Sequence, residues 1–123
     1  MLIVLPLKEN KGLDSAISAI FGRCPFFMVI DPETKTFSIE SNPAVNASGG
    51  AGIQSAQWII DKKVDAVICK KLGPKAHDVL AAGKVSAYKY VSGNIKETLD
   101  AFNSHSLGNI FEPNVDAHSG MQE

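Results

Sequence analysis

The stretch that most clearly suggests ligand binding is the glycine-rich run NASGGAGIQSAQWII, residues 46–60. It places four small residues directly before a run of helical character, namely Gly49, Gly50, Ala51 and Gly52. The start of a helix exposes backbone N–H groups without intrahelical partners, and glycines let a ligand approach them closely. An anion is therefore the predicted ligand. The same glycines could instead serve only to turn a strand tightly onto a helix, and both interpretations stay open.

Two cysteines add a second kind of chemistry. Cys24 follows Arg23, and a neighbouring guanidinium is expected to lower the pKa of the thiol and favour the thiolate. Arg23 is expected to contact a ligand or to form a salt bridge with Asp14 or Glu9. Cys69 ends a buried apolar run, where a cysteine is more often a small core residue than a ligand. Because thiolates ligate metal-sulfur clusters, Cys24 and Cys69 are candidate metal ligands, and without a C-x-x-C motif we expect reduced thiols.

A basic segment follows the second cysteine. Lys70 and Lys71 are candidate anion contacts, although adjacent lysines are more commonly a solvated surface pair. Gly73 then precedes a helix whose N-terminus carries a partial positive charge. His77 lies in the first turns of that helix and is a further candidate metal ligand, although a lone exposed histidine is the commoner case.

The composition limits the partners that the chain can have. With 123 residues, 45% hydrophobic content and a net charge of −1, a single domain is expected, and nucleic-acid or membrane partners are not. The apolar run at residues 2–6 lacks a basic leader and is too short to span a membrane. We therefore expect a cytoplasmic protein, either a monomer or a weak homodimer, whose electrostatic function is local.

Hydrophobic patterning predicts the elements that position these residues. Strands are expected at residues 2–6, 26–31, 36–41, 64–69 and 85–90. Helices are expected at residues 53–62, from residue 74 to a stop at Gly83, and from a capping box at Asn94 until the chain approaches Gly108. Short right-handed crossovers then favour an α/β fold with a mixed five-stranded sheet in the order 3-2-1-4-5 and three helices. Residues 1–108 form the predicted domain, and the polar residues 109–123 are expected to be a flexible tail.

The first predicted helix also carries an apolar stripe. Ile53, Ala56 and Ile60 recur at helical spacing and are expected to face the sheet. Trp58 points away from this stripe, which predicts a surface or dimer contact.

Strand directions bring the candidate residues to one edge of the sheet. This edge, here called the upper rim, collects residues 7–25, 42–52, 69–75 and 91–94. Its charged residues are Lys8, Lys11, Arg23, Lys70, Lys71 and Lys75 against Glu9 and Asp14. The upper rim therefore has a local charge of about +4, although the whole chain is at −1. Open α/β sheets bind ligands outside the carboxyl ends of their strands, so the site is expected here.

Three motifs on this frame resemble a known family. FGRCPFF at residues 21–27, GGAGIQSA at 49–56 and VDAVICKKLGPKA at 64–76 look like the nitrogenase iron-molybdenum cofactor-binding family. The resemblance covers about residues 1–108 and implies a ribonuclease H-like three-layer fold. It also implies a non-enzymatic carrier or chaperone for an anionic metal-sulfur cofactor, containing molybdenum with iron or copper, and a protein that delivers or receives this cofactor.

Other functions are less well supported or stay open. A nuclease of the ribonuclease H type needs a carboxylate on the first strand, and LIVLPL offers none. Serine or cysteine hydrolysis lacks a histidine placed beside a nucleophile and an orienting acid. A binding module for a phosphorylated metabolite or nucleotide, and a regulatory protein that docks partners without a small ligand, remain alternatives.

Overall fold

The computed structural model describes residues 1–110. In chain order its elements are β1 (Ile3–Leu7), β2 (Phe26–Ile30), β3 (Phe37–Ser41), α1 (Ala51–Asp61), β4 (Ala66–Cys69), α2 (Pro74–Ala82), β5 (Ser86–Lys89) and α3 (Ile95–Asn103). This is the predicted order of elements, with small shifts at their ends. The predicted capping box is present at α3, where the Asn94 side chain accepts from the Glu97 N–H and the Glu97 carboxylate accepts from the Asn94 N–H.

The strands form one mixed sheet in the predicted order β3-β2-β1-β4-β5. β2 is antiparallel to β1 and β3, whereas β4 is parallel to β1 and β5. β1, β3, β4 and β5 therefore end at the same edge, which is the upper rim, and β2 begins there. β1 is central because its residues are apolar and buried along the whole strand.

Helices cover both faces of the sheet. Alternate residues of each strand point to opposite faces, so that Phe27 and Val67 pack in one core with α1 and α2. Met28 and Ile68 pack in a second core with Leu99 of α3. The three-layer α/β architecture is thus observed, while the finer ribonuclease H-like label stays a prediction. Within residues 1–110, no helix is long and apolar enough to cross a membrane.

The connection from β1 to β2 folds back along the upper half of β1. β4 pairs with β1 at Ile3 and Val4. Beyond that point the Ser18 N–H donates to the Pro6 carbonyl oxygen at 2.8 Å, and Leu7 forms a bridge with residue 17. This pairing returns the chain to the upper rim just before Cys24.

Residues 108–110 lie along the outer edge of β5. The Lys89 N–H donates to the Gly108 carbonyl at 2.7 Å, and the Ile110 N–H donates to the Ala87 carbonyl at 2.8 Å. Ile110 is buried, so the prediction that the loose tail begins at residue 109 is wrong for residues 109 and 110, because an apolar side chain and two backbone hydrogen bonds fix them. The rest of the predicted tail, residues 111–123, lies outside the described residues.

α1 buries Ala56 and partly buries Ile60, as predicted, but the centre of its buried face is shifted from the predicted stripe. Its buried residues are Ala51, Gly52, Ser55, Ala56 and Ile59. Ile53 is instead 38% exposed. Trp58 is half-buried and stacks on Phe27 with ring centroids 5.2 Å apart, so the prediction of an outward-facing tryptophan is wrong. Ser55 is a polar residue on this buried face, and its hydroxyl is satisfied there because it donates to the Gly22 carbonyl oxygen.

Candidate anion-binding site

The upper rim is built from connections that follow β1, β3, β4 and β5. Hydrogen bonds join two of these connections, residues 21–25 and 42–50, to each other and to the first turns of α1. The loop with the glycines is therefore tied to the body of the fold on two sides.

Asn42 is the hub of this connection and is only 2% exposed. Its Nδ2 donates to the carbonyl oxygens of Gly22 at 3.0 Å and Cys24 at 2.9 Å. Its Oδ1 accepts from the Ala44 N–H at 2.9 Å and lies 3.2 Å from the Ser55 hydroxyl. One buried amide thus links both loops to α1.

Neither Asn42 nor Ser55 was predicted as a site residue from the sequence. The signal for Asn42 was its place after a strand and directly before Pro43, a pattern typical of an Asx turn. Ser55 gave no signal of its own, because a small polar residue in a helix usually indicates the solvent face.

Arg23 connects the same two loops at a second point. Its Nη1 donates to the carbonyl oxygen of Ala47, two residues before Gly49. The guanidinium was predicted to contact a ligand. It also supports the glycine-rich loop through this hydrogen bond. Elsewhere on the upper rim Lys11 pairs with Glu9 at 3.8 Å, and the exposure of both side chains makes this pair a weak one.

The N-terminus of α1 lies at the end of the glycine loop. Its N-cap residue Gly50 has a φ of 68° and a ψ of 24°, in the left-handed region that favours glycine, and no side chain among residues 1–110 caps the helix. A Cβ added at Gly49 or Gly50 would meet no other atom of residues 1–110 within 4 Å, so no described residue packs against this side of the loop. Ala51 and Gly52 are buried as the helix begins. The first turn of α1 thus combines N–H groups without a side-chain cap and room for a ligand.

Cys24 and Cys69 lie together in the core under α1 and α2, each 1% exposed, and neither forms a disulfide. Burial raises the pKa of the Cys24 thiol to about 12, outweighing its hydrogen bond with Asn42. Burial also raises the pKa of Cys69 to about 12, and the proximity of Cys24 adds to this. Both groups are therefore neutral thiols at pH 7.

The prediction that Arg23 lowers the pKa of Cys24 is wrong, and the reason is geometric. The Arg23 side chain reaches Ala47, whereas the Cys24 Sγ lies inside the core, 3.8 Å from the Asn42 Nδ2. Neighbours in sequence thus point into different surroundings, and desolvation sets the pKa of the thiol.

The remaining candidates divide between the upper rim and the outer edge of the sheet. Lys70 and Lys71 are exposed directly after β4, and Gly73 is the N-cap of α2. His77 instead lines a cavity of about 200 Å³ beside Ile110, at the outer side of β5. Within residues 1–110, no three His, Cys, Asp or Glu side chains are grouped in a way that could hold a metal ion. The structure therefore brings the two cysteines together but does not join His77 to them.

A larger cavity of about 420 Å³ lies at the opposite edge of the sheet from the upper rim. Tyr88, Phe102 and Asn103 are among its lining residues, and none of the predicted site residues belongs to it.

Comparisons with known proteins agree on the family. A protein of Methanocaldococcus jannaschii without a characterised function is 34% identical over 105 residues, which span 83% of this chain and 85% of that protein. The structure of the apo form of the orange protein from Desulfovibrio gigas superposes with a TM-score of 0.86, at 25% identity, over 93% of this chain and 96% of that one. A Thermotoga protein of the DUF35 family superposes with a TM-score of 0.75, at 26% identity, over 93% and 98% of the two chains.

The family model described as dinitrogenase iron-molybdenum cofactor matches residues 1–105, which is most of the chain and includes the whole upper rim. The chain therefore belongs to the dinitrogenase iron-molybdenum cofactor family.

Proposed function

We propose that this protein is a non-enzymatic carrier or chaperone for an anionic metal-sulfur cofactor of the iron-molybdenum type, containing molybdenum with iron or copper. The proposal rests on one observation above all. In the described part of the chain, the glycine N-terminus of α1 has no side-chain cap and nothing packs against Gly49 or Gly50, on a rim with an excess of basic residues. Membership of the cofactor family supports this choice of anion.

The chemistry of capture follows from charge rather than from ligation. Because Cys24 and Cys69 are buried neutral thiols, the cargo must keep its own sulfide ligands when it binds. Lysine ammonium groups and the N–H groups of a helix N-terminus stabilise a multiply charged anion without displacing those ligands. We therefore propose the rim residues Arg23, Gly49, Gly50, Lys70 and Lys71 as the contacts of the cargo. Ala51, Gly52 and Gly73 are buried and form the two helix starts behind these contacts. Cys24, Cys69 and His77 are not part of this proposed contact set.

This role suits a carrier that passes its cargo to another protein. An anion held by charge and N–H groups is released without breaking a protein-metal bond, so a delivery or acceptor protein can take it. Buried thiols are poor nucleophiles, which favours carriage over catalysis. Two unpaired cysteines also suit the reducing conditions of the cytoplasm.

Anaerobic reconstitution tests the proposal. The protein is incubated with molybdate and sulfide, with iron or copper added, desalted, and examined for visible absorption and for bound metal. Wild type is expected to retain molybdenum. Lys70→Gln with Lys71→Gln is expected to lose most of it, whereas Lys63→Gln with Lys84→Gln, which removes the same charge at the opposite edge, is not. Absence of metal in wild type, or equal retention in both double variants, contradicts the proposal.

A phosphorylated metabolite is the competing ligand, because the N–H groups of the α1 N-terminus suit phosphate as well. Adding ATP or inorganic phosphate to the reconstituted protein separates the two ligands. Full displacement of molybdenum by a small excess of ATP favours the nucleotide. A protein that only docks partners is expected to bind neither.

A further inference from the structure

We propose that Asn42, assisted by Ser55, is a positioning residue for the anion site, and that it sets the glycine loop and the α1 N-terminus without touching the ligand. This inference deepens the proposed function and rests on it. Asn42 lies below the loop, in the core, and is 2% exposed.

The bonding of Asn42 is complete, which is what a positioning role requires. Both hydrogens of its Nδ2 are used, on Gly22 and Cys24, and its Oδ1 receives the Ala44 N–H and faces the Ser55 hydroxyl. A fully satisfied buried amide holds one geometry, because any shift of the loops breaks several hydrogen bonds in a place that water does not reach.

These hydrogen bonds fix the conformation of the segment that leads from β3 to the N-terminus of α1. Residues 42–50 contain no strand or helix, so the ladder of the sheet does not fix their course. The Asn42 N–H donates to the Pro25 carbonyl at 3.0 Å, which anchors the start of this segment. Ser55 lies one helical turn after Ala51 and is 0% exposed, with its hydroxyl 2.8 Å from the Gly22 carbonyl. Fixing Ser55 fixes the position at which the first N–H groups of α1 emerge.

The test compares Asn42→Ala with a control variant that is expected to lower the free energy of unfolding by a similar amount. Leu99→Ala removes a buried side chain of α3 on the other face of the sheet. It lowers stability because it leaves a cavity, and it removes no contact of the glycine-rich loop. The probe is tetrathiomolybdate alone, a stable anion that carries its own sulfides, titrated anaerobically. We expect Asn42→Ala to weaken binding about ten-fold, as is usual when a residue that supports a ligand shell is lost. Leu99→Ala is expected to bind within about two-fold of wild type, because a substitution far from the anion site and without shared partners has little effect on that site.

Amide hydrogen exchange of residues 49–53 supplies a second readout that does not depend on binding. Asn42→Ala is expected to accelerate exchange at these amides by about ten-fold at a denaturant concentration where global unfolding is negligible, and Leu99→Ala is not. Ser55→Ala, which leaves the other bonds of Asn42 intact, should fold readily and show a smaller acceleration.

The outcomes separate the two proposals. If wild type binds tetrathiomolybdate and Asn42→Ala binds equally well, the positioning role is overturned and the proposed function stands. If wild type does not bind, the proposed function fails, and unchanged exchange at residues 49–53 in Asn42→Ala overturns the positioning role as well. Equal losses in Asn42→Ala and Leu99→Ala also overturn it, because the effect is then one of general stability.

Discussion

The guanidinium of Arg23 donates a hydrogen bond to the carbonyl oxygen of Ala47, so a cation of the upper rim is also a support of the glycine loop. Charge and loop shape are therefore linked through one side chain. An arginine can hold a carbonyl and still present the rest of its planar guanidinium, which a lysine cannot do in the same geometry.

Substitution of Arg23 separates these two contributions. Arg23→Ala is expected to weaken tetrathiomolybdate binding by more than ten-fold, because both the charge and the support are lost, by analogy with other residues that orient a ligand shell. Arg23→Lys keeps the charge, so it should recover part of the loss, and its affinity should still fall as salt rises. Titrations at two ionic strengths measure both effects. Wild-type affinity in Arg23→Ala would show that this side chain has no part in binding.

Gly49 distinguishes a ligand role from a purely structural role of the glycines. Its added Cβ would meet no other described residue within 4 Å, and its φ is outside the left-handed region, so Gly49→Ala should fold with unchanged or slightly higher stability, by up to about 1 kcal/mol. If an anion lies against the loop, the new methyl group obstructs it and tetrathiomolybdate binding weakens. Gly108→Ala is the matched control, since its Cβ also meets none of residues 1–110 within 4 Å. Equal affinity in the two variants supports the tight-turn interpretation.

The buried thiols make stability depend on alkaline pH. Unfolded cysteines lose their protons near 9.0, whereas Cys24 and Cys69 keep theirs in the folded state until about 12. Above pH 9 the unfolded chain therefore binds fewer protons, and the free energy of unfolding falls, by at most about 1.4 kcal/mol per pH unit for each thiol. Below pH 9 this contribution is constant.

Urea denaturation under reducing conditions at pH 7, 9 and 10 measures the effect. The reference is a variant that combines Cys24→Ala with Cys69→Ala, because it keeps every lysine whose titration would otherwise confuse the comparison. Wild type should lose more stability than the variant between pH 9 and 10. Parallel curves would mean that the thiols are not buried in the folded protein.

The same double variant tests how the cargo is held. We expect it to bind tetrathiomolybdate with an affinity within about two-fold of wild type, because neutral buried thiols make no bond to the anion. Its stability should be lower by about 1 kcal/mol for each truncated side chain. Circular dichroism confirms the fold before an anaerobic visible titration. Loss of binding in a folded variant would establish thiolate ligation.

Much of the fold follows from simple patterns. The uninterrupted apolar run that ends at Leu7 indicates a central strand, and the alternation in β3 indicates an edge. Handedness and short connections then leave one sheet order, which is the observed one. The location of the upper rim follows from strand direction alone, so the edge at which these connections meet could be predicted without coordinates.

Side-chain direction could not be predicted in the same way. Ser55 faces the core because the Gly22 carbonyl oxygen and the Asn42 Oδ1 lie within hydrogen-bond distance of its hydroxyl there. Hydropathy indicates only that serine is polar. The buried stripe of α1 therefore includes Ser55, and Trp58 stacks on Phe27. Asn42 supplies the amide, and a local pattern indicates only its bond with the Ala44 N–H, because its other partners lie at least 13 residues away along the chain. The pKa of Cys24 depends on the same tertiary surroundings.

The most direct test of the account is to locate the bound anion. Tetrathiomolybdate is added to ¹⁵N-labelled wild type and to the variant without cysteines, and backbone amide shifts are followed by NMR. The account predicts that the largest changes fall on residues 49–53 and 70–75 in both proteins. Changes centred on His77 or on the cavity beside Tyr88, or a map that vanishes when the cysteines are removed, would contradict it.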